Sequence, residues 1–273
     1  MLKSRVMTAL VLLVLFLLAL FALPVSGWTG LVILMVLQGT FEWAKLAKLT
    51  GSKAYLFWGV TLLIMLGIVW FDAQYSAEQQ ILLHLLVYAV SALLWLIVVP
   101  TWLMIGWKVE QPILMILTGW AVLIPTGLAM LDLRLISPWL LLFVMGMIWI
   151  ADISAYFTGR RFGKRKLAPS ISPGKTWEGV AGAMIGVGVY VVLVWIFSPS
   201  FGRLGLLPGL LLASWWWVGL AVIGDLFESA IKRQAGVKDS GALLPGHGGL
   251  LDRIDALTST LPLAALAILL FNK

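Results

Sequence analysis

The chain has 273 residues, 62% of them hydrophobic and only 11% charged, with 15 Trp and a mean hydropathy of +1.03, which excludes a soluble globular domain and points to a protein solvated largely by lipid. Its formal net charge of +7 is the excess expected of loops facing anionic lipid, so no nucleic-acid partner is expected. Without cysteine it has no disulfide, thiolate nucleophile or Cys-ligated metal, and with only His84 and His247 it cannot build a multi-histidine metal centre.

Apolar runs predict an all-α polytopic membrane protein with about nine transmembrane helices: Val6 to Leu23, Gly30 to Trp43, Tyr55 to Phe71, Ile81 to Val99, Pro112 to Leu131, Pro138 to Ala155, Gly179 to Phe197, Leu207 to Gly224 and Ala256 to Phe271. The second and last are short and are expected to extend into their flanks. Although Lys3 and Arg5 precede the first run, its apolar core is longer than a signal-peptide core and no Ala-x-Ala site follows, so it is read as a retained helix. With the amino terminus cytoplasmic, sixteen of the nineteen basic residues fall on the cytoplasmic side, leaving only Arg134, Arg203 and Lys273 outside. The charged loops after helices six and eight then face the cytoplasm. The chain divides into an amino-terminal helical region, 1–135, and a carboxy-terminal region, 136–273, that carries the polar motifs.

The segment from Ala151 to Gly179 is the most basic of the chain. Its Arg160 to Lys166 stretch suits lipid headgroups. Gly174-Lys175-Thr176 has a P-loop look, but Pro169 stands where that motif needs glycine, and the motif also needs a preceding strand, so it is not read as a P-loop. Ser172-Pro173 reads instead as a helix start whose free amides, beside Lys175 and Thr176, could hold a phosphate. Asp152, near the end of helix six, is a carboxylate that needs solvent, a partner or a cation.

The most informative stretch runs from Gly224 to Asp255. If helix eight continues through it, Asp225, Glu228, Ser229 and Lys232 fall at i, i+3, i+4 and i+7 on one face, and Asp252 and Asp255 share a face at the start of helix nine. Such carboxylate pairs are hard oxygen ligands of the kind magnesium takes together with substrate phosphates. Interhelical salt bridges with Lys232 and Arg253 would account for the charges but not for Pro245-Gly246-His247-Gly248-Gly249, whose glycines allow a ligand close to the backbone.

These residues resemble the phosphatidate cytidylyltransferases, or CDP-diacylglycerol synthases. Ser229, Ile231, Lys232-Arg233, Lys238-Asp239, Gly241, Leu244, Pro245, His247-Gly248-Gly249, Leu250, Asp252-Arg253, Ile254 and Asp255 fill each slot of that family's signature. Ala155-Tyr156, Gly159-Arg160, Phe162-Gly163-Lys164, Lys166-Leu167, Pro169 and Ser172 to Gly179 resemble its second block, whereas the amino-terminal half matches only as apolar helices. The resemblance implies that CTP and phosphatidic acid give CDP-diacylglycerol and pyrophosphate with Mg2+, bound by Asp225, Asp252 and Asp255. It places Ser229 and Lys232 beside the metal and admits a second, monovalent cation such as K+ and a homodimer. Ser172, Lys175, Thr176, Arg233, Lys238 and Arg253 are expected to meet the substrates, and His247 to assist proton movement or bond a phosphate oxygen. The implied location is a bacterial inner membrane, with the site toward the cytoplasm. An ion-coupled transporter would need carboxylates at mid-span and internal repeats, and a CDP-alcohol phosphotransferase its own paired-aspartate motif; neither pattern is found.

Overall fold

Apolar segments of this length can satisfy their backbone in lipid only as helices, and the computed structural model, which describes residues 2–197, 207–243 and 248–271, is built almost wholly of them. The helices are α1 (Leu2–Ala22), α2 (Val25–Leu46), α3 (Ser52–Gln74), α4 (Ala77–Ile105), α5 (Pro112–Ile136), α6 (Pro138–Phe162), α7 (Trp177–Phe197), α8 (Leu207–Ala235) and α9 (Leu251–Phe271). Two short strands, β1 (Lys166–Ala168) and β2 (Ser172–Thr176), form an antiparallel hairpin between α6 and α7. The protein is therefore an all-α polytopic membrane protein. Among the described residues eight helices, α2 to α9, are long and apolar enough to cross a bilayer; the apolar part of α1, Leu10–Ala22, is shorter, so the expected count of nine is met in helices but not in spans of that length.

Most helices outrun their apolar windows because their last turns carry polar side chains. The largest extension is α8, which continues eleven residues past Gly224 to Ala235. Within α4 a single π turn, Leu94–Val98, precedes Pro100, which has no amide to donate. Beyond that turn Trp102, together with Trp95 and Trp43, closes on Phe227 of α8, at ring-centroid separations of 5.3, 5.5 and 6.3 Å. Each such aromatic pair contributes roughly 0.5–1.5 kcal/mol beyond burial. Together they fix the turn of α8 that carries Glu228.

The centre of the bundle is α5 and α9, the two most buried spans, with α2 against α5 and α8 against α9. Helices α6 and α7 pack on small residues. A Cβ at Gly182 would stand 2.2 Å from the Thr158 hydroxyl, and one at Gly186 2.0 Å from that of Ser154, so the two backbones approach as only glycine permits. Alternating helix directions put the ends of α2, α4, α6 and α8 and the starts of α3, α5, α7 and α9 at one end of the bundle. That end holds the charged residues of both sequence motifs.

Candidate active site

Helix α8 presents Asp225, Glu228, Ser229 and Lys232 on one face, as their spacing predicts. The Ser229 hydroxyl donates to Asp225 Oδ1 at 3.4 Å, and Lys232 Nζ stands 3.2 Å from Glu228 Oε1 and 2.6 Å from Oδ1 of Asp252 on α9. Lys175 of β2 forms an ion pair with Asp225. Asp152 of α6 lies within electrostatic reach of Asp225, Lys175 and Arg253, and Asp255 within reach of Asp225, Glu228 and Asp152. Among the described residues five carboxylates thus gather around three cations, Lys175, Lys232 and Arg253.

Two carboxylates differ sharply in how they are satisfied. Asp252 is saturated: its Oδ1 takes Lys232, while its Oδ2 accepts the backbone N–H of Ser240 and of Gly249 at 2.9 and 2.8 Å and faces the Ser240 hydroxyl at 2.9 Å. Glu228, only 5% exposed, meets Lys232 with Oε1 at 3.2 Å, while its Oε2 has no partner among the described residues. A buried carboxylate oxygen left without a donor is costly. Hard oxygens more numerous than the cations that meet them, and a Glu228 oxygen without a partner, fit a divalent cation. The fit lies in chemistry and charge rather than in a preformed cage, since among the described residues no three acids converge at ligating distance.

Beside the cluster lies a cavity of about 700 Å³. Asp152, Arg160, Lys166, Ser172, Lys175, Thr176 and Asp225 line its polar part, and Ala151, Ala183, Val218, Ala221 and Val222 its apolar part. Ser172-Pro173 is not a helix start: Ser172 to Thr176 pair as β2 with β1, and α7 begins at Trp177, where the Thr176 hydroxyl accepts the N–H of Gly179 at 3.1 Å. The physical reason is that β2 places Lys175 over the cavity by pairing with Lys166 to Ala168, and the capping role passes to Thr176. Glu178, at the head of α7, accepts the amides of Lys164 and Arg165 at 3.0 and 3.2 Å and so ties the hairpin's entry to the helix.

Not every expected residue reaches this cavity. Arg233 is exposed and donates to the Val237 carbonyl at 3.2 Å, and Lys238 is exposed on the segment that follows α8. Arg253 is exposed on the first turn of α9. His247 lies outside the described residues.

Sequence reasoning missed Glu42 altogether. This α2 residue is 1% exposed, yet its Oε1 accepts Gln38 Nε2 and the N–H of Leu250, and its Oε2 accepts the N–H of Leu251 and the Ser240 hydroxyl, all at 2.9 Å. The available signal was a lone acid in an apolar run, Thr-Phe-Glu-Trp-Ala, where an unpaired carboxylate is expensive. The amino-terminal half, apparently generic, therefore supplies part of the site.

Residues 3–271 match the model of the Cytidylyltransferase family. The chain belongs to that family. It is 40% identical to the phosphatidate cytidylyltransferase of Haemophilus influenzae, with 96% of both chains covered, and 36% identical to that of Pseudomonas aeruginosa, covering 97% of this chain and 96% of the relative. A similarity to the Bacillus subtilis phosphatidate cytidylyltransferase, 43% identical, spans 46% of this chain. As a cytidylyltransferase family member, the chain bears out the resemblance its motifs carry, and the match extends through the amino-terminal half that the motifs left generic.

Proposed function

We propose that this protein transfers the cytidylyl group of CTP to phosphatidic acid, forming CDP-diacylglycerol and releasing pyrophosphate. The observation that supports this most directly is the continuity of the charged cluster with a cavity whose other wall is apolar, a shape suited to a substrate that is phosphate at one end and acyl chain at the other. A phosphate oxygen of phosphatidate attacks the α phosphorus of CTP, and the bond from that phosphorus to the bridging oxygen of pyrophosphate breaks. Phosphatidate, largely dianionic at neutral pH because a phosphomonoester's second pKa is about 6, needs no strong protein base. Repulsion between the two anions is then the main obstacle.

Lys175, now paired with Asp225, exchanges that partner for a CTP phosphate, and Lys232 is positioned by Glu228 and Asp252 to face the same charge. The small apolar residues of the lining, Ala151, Ala183 and Ala221, are assigned to the acyl chain. Asp225, Glu228 and Asp255 would hold magnesium, with Asp252 joining if it gives up one of its present donors. Bound there, the ion supplies charge neutralisation of the triphosphate and of the leaving pyrophosphate. The site is assigned to the cytoplasmic face of a bacterial inner membrane, on the distribution of basic residues. A K+ ion and a homodimer, implied by resemblance alone, belong to the same proposal. His247 keeps the two roles its position suggests, assisting proton movement or donating a hydrogen bond to a phosphate oxygen.

The test uses detergent-purified protein with CTP labelled at the α phosphate, phosphatidic acid and magnesium, following label into the organic phase. Magnesium-dependent labelled lipid is the expected result. Folded protein that labels no lipid would sink the proposal.

A further inference from the structure

We infer that Glu42 is a positioning residue of the site: from α2, outside both sequence motifs, it holds the segment before α9 and through it the carboxylates of Asp252 and Asp255. This rests on the proposed cytidylyltransfer and deepens it.

The carboxylate of Glu42 stands at the amino terminus of α9, where the first-turn amides have no partner within their own helix. It accepts two of them, Leu250 and Leu251, one on each oxygen, and its negative charge faces the positive end of the helix. Its own placement is rigid. The next residue, Trp43, is buried and donates Nε1 to the Met115 carbonyl at 2.8 Å, pinning the end of α2 to α5, and Gln38 one turn earlier donates to Glu42 Oε1.

The link to the charged cluster is Ser240. Its hydroxyl lies 2.9 Å from Glu42 Oε2 and 2.9 Å from Asp252 Oδ2, so one proton serves two carboxylates, while its backbone N–H is given to Asp252. Asp252 in turn holds Lys232. The chain of contacts therefore runs Glu42, Ser240, Asp252, Lys232, with Asp255 carried one turn further along the helix whose start Glu42 anchors.

Glycines close the arrangement. A Cβ at Gly249 would lie 2.4 Å from Glu42 Oε2 and 2.3 Å from Ser240 Oγ, and one at Gly241 would lie 3.1 Å from the Glu42 carboxyl. Gly248, at φ +82°, adopts a backbone that side chains disfavour, and its Cβ would sit 2.6 Å from Asp252 Oδ2. In this geometry the two glycines after His247 make room for the Glu42 and Asp252 carboxylates.

A role confined to fold stability predicts loss of thermal stability and nothing else, whereas a positioning role predicts altered site properties in folded protein. Glu42→Gln keeps the shape but turns an amide NH2 toward one backbone N–H. The expected result is a fall in kcat of roughly 10- to 100-fold, the range for groups that orient metal ligands, with KM for CTP and phosphatidic acid changed less than about twofold. The affinity for Mn2+ alone, read by electron paramagnetic resonance without substrates, should weaken by a similar factor, and hydrogen exchange of the amides at 249–251 should accelerate.

Ser240→Ala, which removes only the shared hydroxyl, should shift kcat and Mn2+ affinity the same way by a smaller factor, and stands in if Glu42→Gln does not fold. Wild-type kcat, Mn2+ affinity and exchange in the folded variants overturn the inference, as does a loss of thermal stability alone. The two ideas fail separately. If wild-type protein makes no CDP-diacylglycerol, the proposed function falls, while Mn2+ affinity and exchange still report on Glu42.

Discussion

Two polar clusters sit at opposite ends of the bundle, and they differ in what they leave unsatisfied. At the end away from the site, His84 of α4 places Nδ1 2.9 Å from Asp132 Oδ2 and Nε2 3.1 Å from Asp72 Oδ1, and the Tyr88 hydroxyl donates to Asp132 Oδ2 at 2.7 Å. Both ring nitrogens face an oxygen, and the group joins α3, α4 and α5 like a rivet. Nearby, Arg134 of α5 donates Nε to the Leu20 carbonyl at 2.9 Å and lies over the Trp28 ring, capping the end of α1. In the cluster at the site end five carboxylates share three cations, and Glu228 Oε2 has no partner among the described residues. Polar groups that complete one another hold a fold together; polar groups left incomplete are where a ligand has something to add.

The comparison is broken or sharpened most strongly by removing an acid from the incomplete cluster. Asp225→Asn should lower turnover by at least about 100-fold, as loss of a metal-orienting or metal-binding group does, while the protein still purifies folded; chelation with EDTA should do the same to the wild type and be reversed by Mg2+. Near-normal lipid labelling in Asp225→Asn would remove it from the metal set.

Next comes Lys232→Met, which strands Glu228 and Asp252 together. Breaking a buried pair from one side costs about 3–5 kcal/mol, so the melting temperature in detergent should drop clearly and activity vanish. An unchanged melting temperature would mean that the two acids are compensated in some other way.

Lys175→Ala frees Asp225 and removes a phosphate partner. A hydrogen bond to a charged group contributes about 1.5–3 kcal/mol, so KM for CTP should rise by roughly tenfold or more, with a smaller change for phosphatidic acid. Initial rates across a CTP series decide it, and an unaltered KM would return the hairpin to a purely lipid-facing role.

The smallest effect on chemistry is expected at the complete cluster. His84→Asn leaves Asp132 and Asp72 short of a donor at a cost of about 1–3 kcal/mol, yet kcat per folded molecule and the magnesium dependence should stay within twofold of wild type. A changed magnesium requirement would show that the two ends are coupled and the contrast is wrong.

What could be read from the chain follows the same division. Spans were legible because lipid forces apolar runs into helices, and the one-face arrangement of Asp225, Glu228, Ser229 and Lys232 followed from helical period once α8 continued to Ala235. The hairpin was not legible: Ser172-Pro173 carries a helix-start composition, and only pairing with Lys166 to Ala168 makes it a strand. Glu42 and the His84 cluster were hidden for a related reason. Their meaning lies in partners 198 to 209 and 12 to 48 positions away, and no local pattern records such distances.

The span between Glu42 and the amides it accepts has a consequence for how the protein is made. Glu42 leaves the ribosome 208 residues ahead of Leu250. At translation speeds of about 5–20 residues per second, that is an interval of roughly 10–40 s. For most of it, of the carboxylate's partners among the described residues only Gln38, from its own helix, has been made. A chain that stops short of α9 leaves that acid without the backbone partners Leu250 and Leu251, so the loss of the last helix is felt at the end of the second.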